Sequence, residues 1–201
     1  MELTVNQPYV NEVRRIHPQR FALWLSIAVI IMMFAGLTSA YIVRKGAGNW
    51  VEFRLPFNFI ISAVIMLLSS LAVHWAYLSF KHDKLNAYRF ALGISVFLGF
   101  AFLVSQYTGW QKLKEIGIFL SGNPSGSFVY VLSYLHFAHV AGGLLFLIIA
   151  FIKSLVIFEN PANFLIYRTD ANKNIRIGML ATYWHFVDAL WLYLILFFTF
   201  I

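Results

Sequence analysis

The chain has 201 residues, of which 61% are hydrophobic and only 11% charged, far below the roughly 25% charged content of a soluble domain. This composition excludes an ordinary water-soluble protein and implies one integral to a membrane. The formal charge is +7, but the basic residues are scattered at the ends of apolar segments, so nucleic acid is not an expected partner. Cysteine is absent, which removes disulfides, thiolate metal sites and thiol catalysis.

Residues 1–20 form a polar tail with Arg14, Arg15 and Arg20, and an uncharged run from Phe21 to Val43 follows, closed by Arg44 and Lys45. That run is too long for a signal-peptide core and no small-residue cleavage site follows it, so it is expected to be a retained first span. Further uncharged runs cover 55–80, 90–111, 128–152 and 177–201, each long enough to cross ~30 Å of hydrocarbon. The expected fold is all-α: an integral membrane bundle of five transmembrane helices over 21–201, with 1–20 as a tail. Gly122, Pro124, Ser125 and Gly126 punctuate the approach to the fourth run, and Asn160-Pro161-Ala162-Asn163 breaks the fourth from the fifth.

Lys and Arg number ten in the tail and the second and fourth connections, against five in the first and third. The positive-inside rule therefore predicts an inner N-terminus and an outer C-terminus. Trp24, Tyr41, Trp50, Trp75, Tyr77 and Trp110 cluster toward segment ends, where an interfacial aromatic belt would hold them. Ala138, Ala141, Gly142 and Gly143 in the fourth run would let a neighbouring helix come close. No internal repeat or low-complexity segment is visible.

The last run carries Trp184-His185-Phe186-Val187-Asp188, and Asp188 is the only carboxylate inside any apolar run. For a helix entering lipid near Ile177, His185 lies ~12 Å deep and Asp188 ~17 Å, close to the middle of the layer. An ionisable group there costs on the order of 2.5–3.5 kcal/mol, so Asp188 should face protein and find a partner. His185 on its own helix and His139 on the fourth run are the candidates, and the pair reads either as packing or as a proton-handling site. Of the intramembrane histidines only His74 and His185 lie at matched depth, as axial haem ligands would. His136 and His139 are three apart, as metal ligands on a helix can be, but no carboxylate or thiol besides Asp188 completes a set; interhelical hydrogen bonding is the other reading. The expectation is that this chain binds no metal or haem of its own.

The run Trp-His-Phe-Val-Asp-x-x-Trp-Leu, ending in Trp191 and Leu192, resembles the last helix of subunit III of the haem-copper oxidases. The other spans agree: Leu135-His136-Phe137-Ala138-His139-Val140 with Gly143 in the fourth, Gly99, Phe102 and Gln106 in the third, Ser69-Ser70 and His74-Trp75-Ala76 in the second, and Trp24-Leu25 and Ala40-Tyr41 in the first. The chain is similar to the short five-helix form of that family, whose longer members have two further helices bounding a lipid-filled cleft. Two departures are plain: the family's buried glutamate in the first span is Ile30 here, and the glutamate three residues after the Gln is Gly109.

The resemblance implies an accessory core subunit of a terminal oxidase that reduces oxygen and pumps protons. It would have no catalytic residues, with haem and copper held by partner subunits I and II. Subunit I would be its main contact, with subunit II, other respiratory subunits and phospholipid around it, in a bacterial plasma membrane in preference to a mitochondrial inner membrane. His74, His136, His139, Gly143, Trp184, His185, Asp188 and Trp191 would then be structural polar and packing residues. Cytochrome c and quinol both stand as the electron donor, with a nitric-oxide-reductase-associated form beside them, and from another class a small proton-coupled transporter.

Overall fold

The structure is a computed structural model that describes residues 18–48, 50–156 and 171–201. Arg14, Arg15, His17 and the Asn160-Pro161-Ala162-Asn163 break lie outside the described residues. The described residues form five α-helices: α1 (Pro18–Gly46), α2 (Phe57–Lys81), α3 (Leu85–Glu115), α4 (Pro124–Val156) and α5 (Ala171–Phe200). All five are long and apolar enough to cross a membrane, and no strand occurs among the described residues. Their lengths of 25 to 33 residues correspond to ~37–50 Å, so the ends project past the hydrocarbon into the interfacial zones.

Helix boundaries follow local chemistry. α2 starts at Phe57, two residues later than the uncharged run, because Pro56 is extended with φ −55° and ψ 143° and a proline disfavours helix in the residue before it. At its other end Asp83 takes φ 60°, while the Lys84 amide bonds the Ser79 carbonyl and the Asp83 amide that of Phe80. This is a Schellman closure with aspartate in the position usually held by glycine. α3 ends the same way on Gly117, φ 79°, with the Ile118 amide on the Leu113 carbonyl.

The tight turn at His82, Asp83 and Lys84 forces α2 and α3 into an antiparallel hairpin, which makes the most extensive helix pair in the molecule. α2, α3, α4 and α5 close into a ring in which each helix packs on two neighbours. α1 stands outside this ring and packs against α4 and α5. Large apolar side chains such as Val29, Met32, Phe97 and Leu145 point outward, as lipid contact requires.

Close approach of the helices rests on two glycines. A Cβ on Gly143 would stand 2.9 Å from the Tyr183 ring and 3.2 Å from Trp184, and one on Gly99 would stand 2.7 Å from Leu144 and 3.4 Å from Trp184. α5 thus lays the Trp184 indole onto two backbones, and the small-residue reading of the fourth run holds for Gly143. Gly142, by contrast, faces open space, and Ala138 is exposed.

The aromatic belt needs correction at two positions. Trp24 and Trp75 are exposed, but Tyr41 and Trp110 are buried. Tyr41 is ringed by Trp50, Phe128 and Phe197, and Trp110 by Tyr134 and Phe137. Both sit where a helix end is covered by a neighbouring segment, so proximity to a segment end did not mean contact with the interface.

Candidate functional site: the polar layer around the last helix

α5 is apolar for most of its length, yet several of its polar groups are bound by α2 or α4. Trp184 and Trp191 are seven apart on α5, and Ser62 and Ser69 are seven apart on the antiparallel α2. Two turns of helix therefore repeat the same contact: the Trp184 indole N–H donates to Ser69 Oγ at 3.2 Å, and that of Trp191 to Ser62 Oγ at 3.1 Å. Each serine accepts the indole while passing its own proton to a carbonyl, Ser62 to Phe59 and Ser69 to Ser95. Both tryptophans are fully buried, and a large aromatic in such a place needs a partner for its one polar atom. α3 and α4 are joined by the same device, with Trp110 donating to Ser133 Oγ at 2.9 Å.

Around Trp191 the layer widens. Gln106 on α3 donates its amide to Ser62 Oγ at 2.9 Å. His136 on α4 stacks on Trp191, with centroids 4.7 Å apart and planes at 20°, and meets Phe102 edge-on at 5.7 Å. His136 is completely buried and neither ring nitrogen has a partner, and the Gln106 Oε1 atom is likewise buried without one. The imidazole therefore serves this layer by aromatic packing, and the hydrogen bond expected between helices is not made at this residue.

His139, one turn further, goes elsewhere. Its Nδ1 lies 2.6 Å from the Leu135 carbonyl, its ring meets Phe34 of α1 at 6.0 Å, and its own carbonyl accepts the Tyr183 hydroxyl at 3.1 Å. His136 and His139 are thus drawn apart toward α3 and α1, and they do not converge on a ligand. His139 also does not partner Asp188, because its ring turns to the Leu135 carbonyl of its own helix and to Phe34 of α1.

Asp188 does face inward, with 5% of its surface exposed. Its Oδ1 atom is buried with no hydrogen-bond partner. One turn before it on the same helix face, His185 Nδ1 lies 2.5 Å from Ser70 Oγ of α2. His74 joins this group, its ring 5.8 Å from that of His185. The pair expected at matched depth does come together, on the outer side of the α2–α5 junction where His74 is exposed. Both histidines border a cavity of about 380 Å³ between α1, α2 and α5, with Arg20, Trp24, Tyr77 and Thr182 among its other walls.

Sequence reasoning named the α5 half of each contact; on α2 it had Ser69 and Ser70 only as matches to the family pattern, and it missed Ser62. The repeat of seven shared by Ser62/Ser69 and Trp184/Trp191 was the available signal. No group of three or more His, Asp or Glu side chains placed to hold a metal occurs among the described residues.

The two departures from the family pattern are filled by packing. Ile30 is buried among core residues. At Gly109 the Phe59 ring lies 3.1 Å from where a Cβ would stand, so the space of a larger side chain is taken by an aromatic from α2.

Comparison with known proteins agrees with this geometry. Residues 49–201 match the family model described as cytochrome c oxidase subunit III. The chain is 28% identical over 187 residues to cytochrome c oxidase subunit 3 of Thermostichus vulcanus, with 89% of this chain and 86% of that protein covered. It is 27% identical over 204 residues to the probable cytochrome c oxidase subunit 3 of Nocardia farcinica, covering 96% and 95%. With the probable subunit 3 of Rickettsia conorii it shares 31% identity over 167 residues, which is 80% of this chain and 54% of that longer protein. A five-helix membrane bundle whose last helix is fixed by Trp184, His185, Asp188 and Trp191, and whose sequence matches over three quarters of its length, belongs to the cytochrome c oxidase subunit III family.

Proposed function

We propose that this chain is a non-catalytic core subunit of a respiratory oxidase. It packs chiefly on subunit I, with subunit II and other respiratory subunits in the same assembly, and it supports proton-pumping oxygen reduction at haem and copper held by those partners. Phospholipid fills the outer faces of the bundle, and the complex lies in a bacterial plasma membrane with the N-terminus inside. The observation that carries this reading is the use made of the buried polar residues on α5. Trp184, Trp191 and His185 are engaged by serines of α2. His136 is closed in by Phe102 and Trp191. Side chains engaged in this way serve to hold helices together.

The test is purification of the chain with its native neighbours, followed by a haem spectrum before and after its selective removal. Haem should co-purify, and all of it should remain with the larger subunits once this chain is stripped away. Haem that leaves with this chain would overturn the proposal.

A further inference from the structure

α1 has its extensive contacts with α4 and α5, and none of comparable extent with α2. At the end of the bundle where α1 and α5 begin and α2 finishes, this leaves the cavity of about 380 Å³, which opens outward beside the exposed Arg20, Trp24 and His74. Its polar wall is made of hydrogen-bond donors with no acid to answer them. Arg20 carries a permanent charge and five N–H groups, His74, Tyr77, Thr182 and His185 stand with it, and no described lining residue is acidic. Among the described residues no carboxylate pairs with Arg20. His185 has its Nδ1 on Ser70 and Thr182 gives its proton to the Gly178 carbonyl, which leaves Arg20, His74, Tyr77 and the second nitrogen of His185 to meet an occupant.

The wall runs deep. His74 stands seven residues from the Lys81 end of α2, ~10 Å along the helix, and His185 ten residues beyond Ile175, ~15 Å along α5. Both levels lie below the headgroups, where a lipid offers hydrocarbon. Hydrocarbon gives an imidazole no hydrogen-bond partner, and an ionisable side chain left facing it is costly. A phosphate headgroup would meet Arg20 at the mouth and leave the histidines to its acyl chain. A side chain on a neighbouring membrane helix meets the wall at any depth, and about 380 Å³ holds one such side chain together with several waters at ~30 Å³ each.

We propose that the cavity receives an aspartate or glutamate from a membrane helix of a neighbouring subunit, with Arg20 as its ion-pair partner and His74 and Tyr77 as hydrogen-bond donors. This contact rests on the reading of the chain as a respiratory oxidase subunit, and it marks the face of the bundle that the assembly covers. Trp24 on α1, and Leu71 and Leu78 within about one turn of His74 on α2, are exposed and give that helix an apolar seat.

Zero-length cross-linking of the purified oxidase complex tests the proposal. Arg20→Lys keeps the positive charge and puts a primary amine at the mouth, which a carbodiimide joins to a carboxylate in contact with it, forming an amide with loss of water. Mass spectrometry should find residue 20 linked to an aspartate or glutamate of a haem-bearing subunit. Arg20→Gln and His74→Leu should each lower the fraction of this chain retained with the haem-bearing subunits in detergent at least threefold. Because the chain has no cysteine, His74→Cys gives a single thiol whose labelling by a lipid-soluble maleimide should stay equally slow after the complex is delipidated. A link only to a carboxylate of this same chain, no link while haem co-purifies, or labelling at position 74 that rises tenfold on delipidation would overturn the proposal. Failure of the wild-type chain to co-purify with haem would overturn the oxidase reading itself.

Discussion

The Trp191 indole and the Gln106 amide meet on one atom, the Ser62 hydroxyl, at 3.1 and 2.9 Å. Three helices are thereby tied at one point, and the tie has a measurable strength. Trp191→Phe keeps an aromatic ring against His136 but loses the N–H and part of the indole's volume, so it should cost ~1–3 kcal/mol, an interhelical hydrogen bond and a small cavity. Trp191→Ala removes the ring as well and should cost ~3–5 kcal/mol. Detergent-denaturation midpoints of the two variants give the comparison, and equal losses would mean that the indole N–H carries most of the effect.

Gly143 and Gly142 are neighbours with opposite surroundings. A methyl group at 143 would press on Tyr183 at 2.9 Å and on Trp184 at 3.2 Å, whereas one at 142 meets nothing within 4 Å. Gly143→Ala should therefore destabilise the fold by ~1–3 kcal/mol through overpacking, and Gly142→Ala should be neutral or slightly stabilising, because alanine is the better helix former. Thermal unfolding of both in the same detergent is the check, and a ranking in the opposite order would contradict the α4–α5 contact.

Gly109→Glu puts back the carboxylate that the family pattern has in α3. The Phe59 ring occupies its path, 3.1 Å from the first side-chain atom, so the variant should assemble poorly. Adding Phe59→Ala in the same chain should recover assembly in part, as yield on size-exclusion chromatography would show.

Orientation follows from ten basic residues in the tail and the second and fourth connections against five in the other two. Reporter fusions at Met1 and at Ile201 should report opposite sides of the membrane, with Met1 inside. Fusions on the same side would require an even number of crossings.

Much of this architecture was legible in the sequence because lipid imposes a crude rule: every span must be a long uncharged helix. The five runs, the inward turn of Asp188 and the tight face of Gly143 all follow from hydropathy, depth and side-chain size. Partner choice did not, since His139 turns to the Leu135 carbonyl and His185 to Ser70, and neither to Asp188. Serines are small, uncharged and common in apolar helices, so Ser62, Ser69, Ser70 and Ser133 give no hydropathy signal. Their worth appears only when a neighbouring helix brings an indole or an imidazole to them. Tyr41 and Trp110 misled for the complementary reason, because linear distance from a charged residue says nothing about which segment folds over a helix end.

α1 packs on α4 and α5, outside the ring of the other four, and this has a bearing on how the protein is made. α1 precedes both of its partners in the chain, so two further spans, α2 and α3, are inserted before α4 offers it a neighbour. A cysteine placed at Phe34, which is 1% exposed in the finished bundle, should react with a lipid-soluble maleimide in a chain arrested after α3 and be protected in the complete one. Docking of α1 is thereby tied to the arrival of α4 and α5, and to no earlier span.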